Sequence, residues 1–208
     1  MRLHSFATAV ILLACAVHAV RAADEPPLKG KKVLMVVAPV NFRDEELKTP
    51  RELLEKKGVE VALASTTLDE IKGMLGMKVK PSLLLKDAKA ADYDAVVFVG
   101  GTGAKALFDN EDAWRLARET NKSGKLVGAI CLAPCIPAKA GILKGRRATV
   151  YPNEEYTDIL RENGATVVPK EVVEDGLIVT ANGPNAAARF GDALVRALAL
   201  PFKEDPPP

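Results

Sequence analysis

Downstream of residue 31, apolar residues gather in short unbroken runs separated by stretches with helical spacing. Lys32–Ala38 (KVLMVVA), Val59–Ser65 (VEVALAS), Ala95–Val99 and Lys125–Ile130 (KLVGAI) read as strands. A strand in a parallel sheet is covered on both faces and so loses the alternation of a half-exposed one. Helical spacing occupies Glu45–Lys57, which stops at Gly58, and Glu111–Lys122; a further helix is expected over Leu132–Ala140, closed by Gly141. Beyond it, Thr149–Tyr151, Thr166–Val168 and Leu177–Thr180 read as strands, and Asn153–Asn163 and Asn185–Leu200 as helices. Thr66–Asp92 is patterned more weakly, with a short hairpin over Ile71–Val79 and Pro81 interrupting any helix. The alternation predicts an α/β fold, a three-layer α/β/α sandwich around a mostly parallel, flavodoxin-like sheet.

The amino terminus breaks this pattern. Phe6–Val17 is almost wholly apolar and is followed by Val20-Arg21-Ala22, which reads as a secretory signal cleaved after Ala22. The run is shorter than the roughly 20 residues a helix needs to cross a bilayer, so no membrane span is expected after cleavage. Leu12-Leu13-Ala14-Cys15 offers a second reading, a lipoprotein with Cys15 as its lipidated terminus. The chain thus divides into a signal peptide (1–22), a short linker (23–31), one domain (32–200) and a tail (201–208), with export to the periplasm or the medium.

Cleavage changes the chemistry available. It removes Arg2 and Arg21 but no acid, leaving basic and acidic side chains balanced at 27 of each. No basic surface for nucleic acid is implied, and 5% aromatics give little support for a base-stacking platform. It also removes both histidines, His4 and His18. Without imidazole, neither a Ser-His-Asp or Cys-His triad nor a His-ligated zinc site can be built. Cys131 and Cys135 alone are too few for a Cys-only zinc site or a disulfide scaffold, so no metal or cofactor is expected.

Ligands of open parallel sheets sit beyond the carboxyl ends of the strands. The residues there are Asn41–Glu46, Gly100–Gly103, Cys131-Leu132 and Asn182–Pro184. Cys131 falls between a strand and an apparent helix start, the setting of a nucleophile elbow, where amides and the helix dipole favour a thiolate. The alternative is a buried space-filling cysteine. Gly100-Gly101 would let amides approach a developing oxyanion, although GGTG lacks the patterns of dinucleotide and phosphate loops. Asp44-Glu45-Glu46 reads either as ordinary charge at a helix start or as a source of an acid, Glu46, aimed at the sulfur. Cys135, four residues on, is expected on the same helix side as Cys131, as a buried apolar residue rather than a disulfide partner.

FRDEELKTP at Phe42–Pro50, VVFVGG at Val96–Gly101, AICLAP at Ala129–Pro134 and DGLIVTANGP at Asp175–Pro184 together resemble the ThiJ/PfpI family. This is the family of the Parkinson's-disease deglycase, within the class I glutamine-amidotransferase-like superfamily. The resemblance implies Cys131 as elbow nucleophile, Glu46 as its acid partner and the amides of Gly101 and Leu132 as oxyanion donors. Gly100, Tyr151 and Pro184 are candidate pocket residues, and a homodimer is implied. A protonated buried Glu46 could donate to the sulfur and hold it anionic at neutral pH. Two positions depart from the family. Leu132 stands where family proteases carry the histidine after the nucleophile, and Val150-Tyr151-Pro152 replaces the Thr-His-Pro of the deglycase branch.

These features imply a cysteine-dependent enzyme on small reactive carbonyls, glyoxalase III-like or deglycase-like and independent of glutathione. A second reading is a non-enzymatic redox sensor or stress chaperone, with an oxidant acting on Cys131. A PfpI-type peptidase ranks last, because it would need a base the chain lacks.

Overall fold

The computed structural model describes residues 28–200. The expected signal peptide, with Cys15 and Ala22, most of the expected linker and the tail lie outside the described residues. Eleven strands are described: β1 (Lys32–Val36), β2 (Glu60–Ser65), β3 (Ile71–Lys72), β4 (Lys78–Val79), β5 (Leu83–Leu84), β6 (Ala95–Phe98), β7 (Leu126–Ile130), β8 (Arg147–Ala148), β9 (Thr166–Val167), β10 (Val172–Asp175) and β11 (Ile178–Ala181). The helices are α1 (Asp44–Lys56), α2 (Glu111–Lys122), α3 (Cys135–Lys139), α4 (Glu154–Glu162) and α5 (Ala187–Ala199).

The central sheet runs β10-β11-β7-β6-β1-β2-β5 and is parallel except for the β10–β11 pair. Its inner strands β6, β7 and β11 are buried at every position, as the unbroken apolar runs require. Helices α1 and α5 pack together on one face, while α2 contacts β6, β7 and α3 on the other. The crossing of α1 over α5 is close because Gly191 has no side chain; a Cβ there would lie 2.6 Å from Leu53 Cδ1 and 3.1 Å from Pro50 Cα. This packing fixes the first turn of α1, and with it Glu46, at the carboxyl edge of β1. No helix among the described residues is long and apolar enough to cross a membrane.

The structure departs from the sequence pattern in several places. The helix expected at Leu132 begins only at Cys135. Pro134 and Pro137 cannot donate, and the amides around Pro134 make i to i−3 bonds, Ala133 to Ile130, Cys135 to Leu132 and Ile136 to Ala133. The strand expected over Thr149–Tyr151 is instead Arg147–Ala148, paired with β9. Residues 149–151 leave the ladder because Thr149 N donates to Thr180 Oγ1 (2.9 Å) and Tyr151 N to the Cys131 carbonyl (2.9 Å). The edge strand β10 has no counterpart in the pattern; its VVED sequence is too polar to read as an apolar run.

Candidate active site

All four loops at the carboxyl edge meet in one cavity of about 290 Å³. Arg43 and Glu46 enter from the loop after β1, Gly101 and Thr102 from β6, Cys131 and Leu132 from β7, and Pro184 from β11. Tyr151 also lines it, as expected, whereas Gly100 lies behind the wall. Met74, Asn153 and Tyr156 complete the lining from segments that sequence reasoning left out. No local signal marks Met74. Asn153 was legible only as a helix start, and its side chain does accept from Glu155 N at 2.9 Å.

Cys131 occupies the elbow with φ 62. That left-handed conformation costs a non-glycine residue roughly 1–2 kcal/mol, so the surroundings must hold it. Its N–H donates to the Ala181 carbonyl (2.8 Å), and its own carbonyl accepts from Tyr151 N. The side chain is nearly buried, with the amides of Gly101 and Leu132 directed at the sulfur. Because Cys131 is left-handed and precedes α3, it shares no helix face with Cys135, contrary to the expectation from spacing. Cys135 is fully buried, and both residues are free thiols.

Glu46 is completely buried, and neither carboxyl oxygen meets a donor at ordinary hydrogen-bond geometry. The Cys131 thiol and the Gly100 backbone still lie close enough to draw its pKa down. Burial outweighs them and pushes the carboxyl up from 4.5 to about 8, so Glu46 is protonated at neutral pH. Burial likewise pushes the Cys131 thiol up to about 12, assisted by the charge of Glu46 and opposed by the two amides. The expectation that amide dipoles and the acid alone keep the sulfur anionic at neutral pH is therefore corrected: removal from water is the larger effect.

The two groups titrate as a pair. The charge that penalises the thiolate exists only once Glu46 has ionised, above a pH of about 8. The pair therefore loses its first proton well before its second. Near neutrality the site is mostly uncharged, with an acid able to give one proton and accept another beside the sulfur.

Gly100 makes this contact geometrically feasible. A Cβ there would overlap Glu46 Oε2 and would lie 2.5 Å from the Ile130 carbonyl and 2.6 Å from Cys131 Cβ. Gly100→Ala is expected to force the acid and the sulfur apart and to cost roughly 1–3 kcal/mol of stability, as overpacking does. Thermal denaturation together with a thiol alkylation rate checks both effects.

Asp44 has a structural task that its position at a helix start did not reveal. Its Oδ2 accepts from Leu75 N (2.8 Å) and its Oδ1 from Met77 N (2.6 Å), while Met74 N donates to the Phe42 carbonyl (2.9 Å). These bonds clamp the β3–β4 turn against the loop after β1 and place Met74 in the cavity wall. Asp44→Ala is expected to cost roughly 2–4 kcal/mol, the range for two charge-assisted bonds. Hydrogen exchange at Leu75 and Met77 should accelerate before exchange in the central sheet does.

Residues 31–197 match the DJ-1/PfpI family. A protein named as a deglycase from Pyrococcus horikoshii is 37% identical over 153 residues, covering 74% of this chain and 90% of its own. A protein of Caenorhabditis elegans named as a glutathione-independent glyoxalase is 28% identical over 173 residues, covering 83% of this chain and 91% of its own. Among solved structures, a ThiJ/PfpI domain protein from Brachyspira murdochii superposes with a TM-score of 0.78 at 33% identity, covering 82% of this chain and 97% of that one.

Proposed function

The chain belongs to the DJ-1/PfpI family, and from that premise we propose that it is an exported, cysteine-dependent enzyme acting on small reactive carbonyls without glutathione. The reaction class is that of a glyoxalase or deglycase, with a 2-oxoaldehyde such as methylglyoxal as the simplest substrate. The observation that carries this reading is the fully buried, protonated Glu46 beside the Cys131 thiol in a cavity of about 290 Å³. That volume suits a small carbonyl compound and leaves little room for a peptide.

Cys131 Sγ adds to the aldehyde carbon, forming the S–C bond as the carbonyl π pair moves to oxygen. The amides of Gly101 and Leu132 stabilise that oxygen. Glu46 takes the thiol proton on one oxygen and gives its own from the other, so the hemithioacetal forms without net charge. Neutral again, Glu46 takes the C1 proton on one oxygen while giving its own to the C2 oxygen, then returns a proton to C2 as it takes that of the C1 hydroxyl; water hydrolyses the resulting thioester, releasing a 2-hydroxy acid and the free thiol. No step needs imidazole. Cleavage after Ala22 and assembly as a homodimer form part of the same proposal, resting on the leader sequence and on the family resemblance.

The test is incubation of purified protein with methylglyoxal in glutathione-free buffer at pH 7, with lactate followed by NMR. Steady lactate production is expected. Absence of turnover, with mass gain at Cys131 under mild peroxide, would overturn the enzyme and favour the thiol sensor.

A further inference from the structure

The polar side chains that line the cavity are mostly committed. Arg43 is held by both oxygens of Glu45 (2.8 and 3.0 Å), and Asn153 Oδ1 caps α4. The Tyr156 phenol lies beside Lys105, whose ammonium also sits over the Tyr156 ring. The Tyr151 phenol is different: it makes no hydrogen bond among the described residues, although its backbone is fixed on both sides. Tyr151 N donates to the Cys131 carbonyl (2.9 Å), and its own carbonyl accepts from Asn153 N (2.7 Å). The residue is 42% exposed, and its ring packs over Gly183, where an added Cβ would lie 3.5 Å from Cδ2. A partly exposed tyrosine that lines the cavity, with its backbone tied to the nucleophile's own peptide and its phenol uncommitted, is placed to contact what the sulfur holds.

We propose that Tyr151 is a specificity-determining residue whose phenol donates to the second oxygen of a 2-oxoaldehyde captured on Cys131, so that the site prefers vicinal dicarbonyls to simple aldehydes. This rests on the carbonyl-capture reading above. The first substrate oxygen is taken by the amides of Gly101 and Leu132, which leaves the adjacent carbonyl oxygen to be matched by another group lining the cavity. A site that hydrogen-bonds a substrate oxygen rejects analogues lacking it, because its own donor is then left unpaired.

The experiment measures protection of Cys131 from iodoacetamide by methylglyoxal, with two adjacent carbonyls, and by propanal, with one, in wild type and Tyr151→Phe. Wild type should be protected at lower concentrations of methylglyoxal than of propanal. In Tyr151→Phe the methylglyoxal concentration for half-protection should rise about tenfold, the effect of one lost hydrogen bond, while that for propanal is unchanged. Equal protection of the two proteins by methylglyoxal, or an equal loss for both aldehydes, would overturn the assignment and leave carbonyl capture standing. No protection of wild type by either aldehyde would overturn carbonyl capture itself, and Tyr151's role with it.

Discussion

A Cys131→Ala variant is expected to lose methylglyoxal consumption by on the order of 10³-fold or more, while Cys135→Ala keeps wild-type turnover to within about a factor of two. Two thiols of similar burial separate the roles. Cys131 lines the cavity beneath two amides and beside an acid, whereas Cys135 is enclosed in α3, with burial as the main influence on it. Residual activity in Cys131→Ala should be independent of Glu46, because the relay has lost its nucleophile. The strained backbone gives an independent check. At φ 62 glycine is unpenalised, so Cys131→Gly should be more stable than Cys131→Ala by roughly 1 kcal/mol, the reverse of the usual order. Chemical denaturation of the two variants measures that difference.

Glu46→Gln should produce a protein that is more stable at neutral pH and far less active. Folded Glu46 titrates near 8 against an ordinary 4.5. The stability of its neutral form is therefore fully present below pH 4.5 and is lost as the pH rises through 8. By pH 7 the linkage amounts to about 3 kcal/mol relative to a side chain that cannot ionise. Burying an amide whose N–H groups lack acceptors offsets part of this, leaving a net gain of roughly 1–2 kcal/mol. The gain should shrink as the pH falls, vanish between about pH 5 and 6, and reverse by pH 4, where only the cost of the buried amide is left. Turnover should drop on the order of 10²–10⁴-fold, the usual contribution of a positioned acid-base group. Denaturant midpoints from pH 4 to 8, alongside lactate assays, read both effects.

The inner strands β1, β6, β7 and β11 could be read directly, because a strand buried on both faces has no polar positions to obscure it. Helix α2 was legible at both ends, where Asn110 accepts from Ala113 N (2.9 Å) at its start and Gly124 follows it with φ 62. Cys131 and Glu46 were legible because both follow apolar runs and sit within family-like motifs. Met74 and Tyr156 were not, since they reach the cavity through contacts distant in sequence, the Asp44 clamp on Leu75 and Met77 and the packing of α4 beside α3. The late start of α3 was foreshadowed by Pro134 and Pro137. The protonation state of the sulfur was not, because burial depends on the whole fold and position at an elbow reports only the amides.

The central claim is that Glu46 and Cys131 share their protons, so that the acid makes the buried sulfur reactive. It is tested most directly by the pH profile of Cys131 alkylation by iodoacetamide in wild type and Glu46→Gln, each in the Cys135→Ala background. With the pair intact, sulfur reactivity should show a first step near 8, as the shared proton is lost, ahead of the full rise of the buried thiol. Without the acid, burial alone governs the thiol, and the midpoint should move above its ordinary 9.0. Coincident profiles, or a wild-type profile with no step ahead of the buried thiol's own titration, would contradict the account.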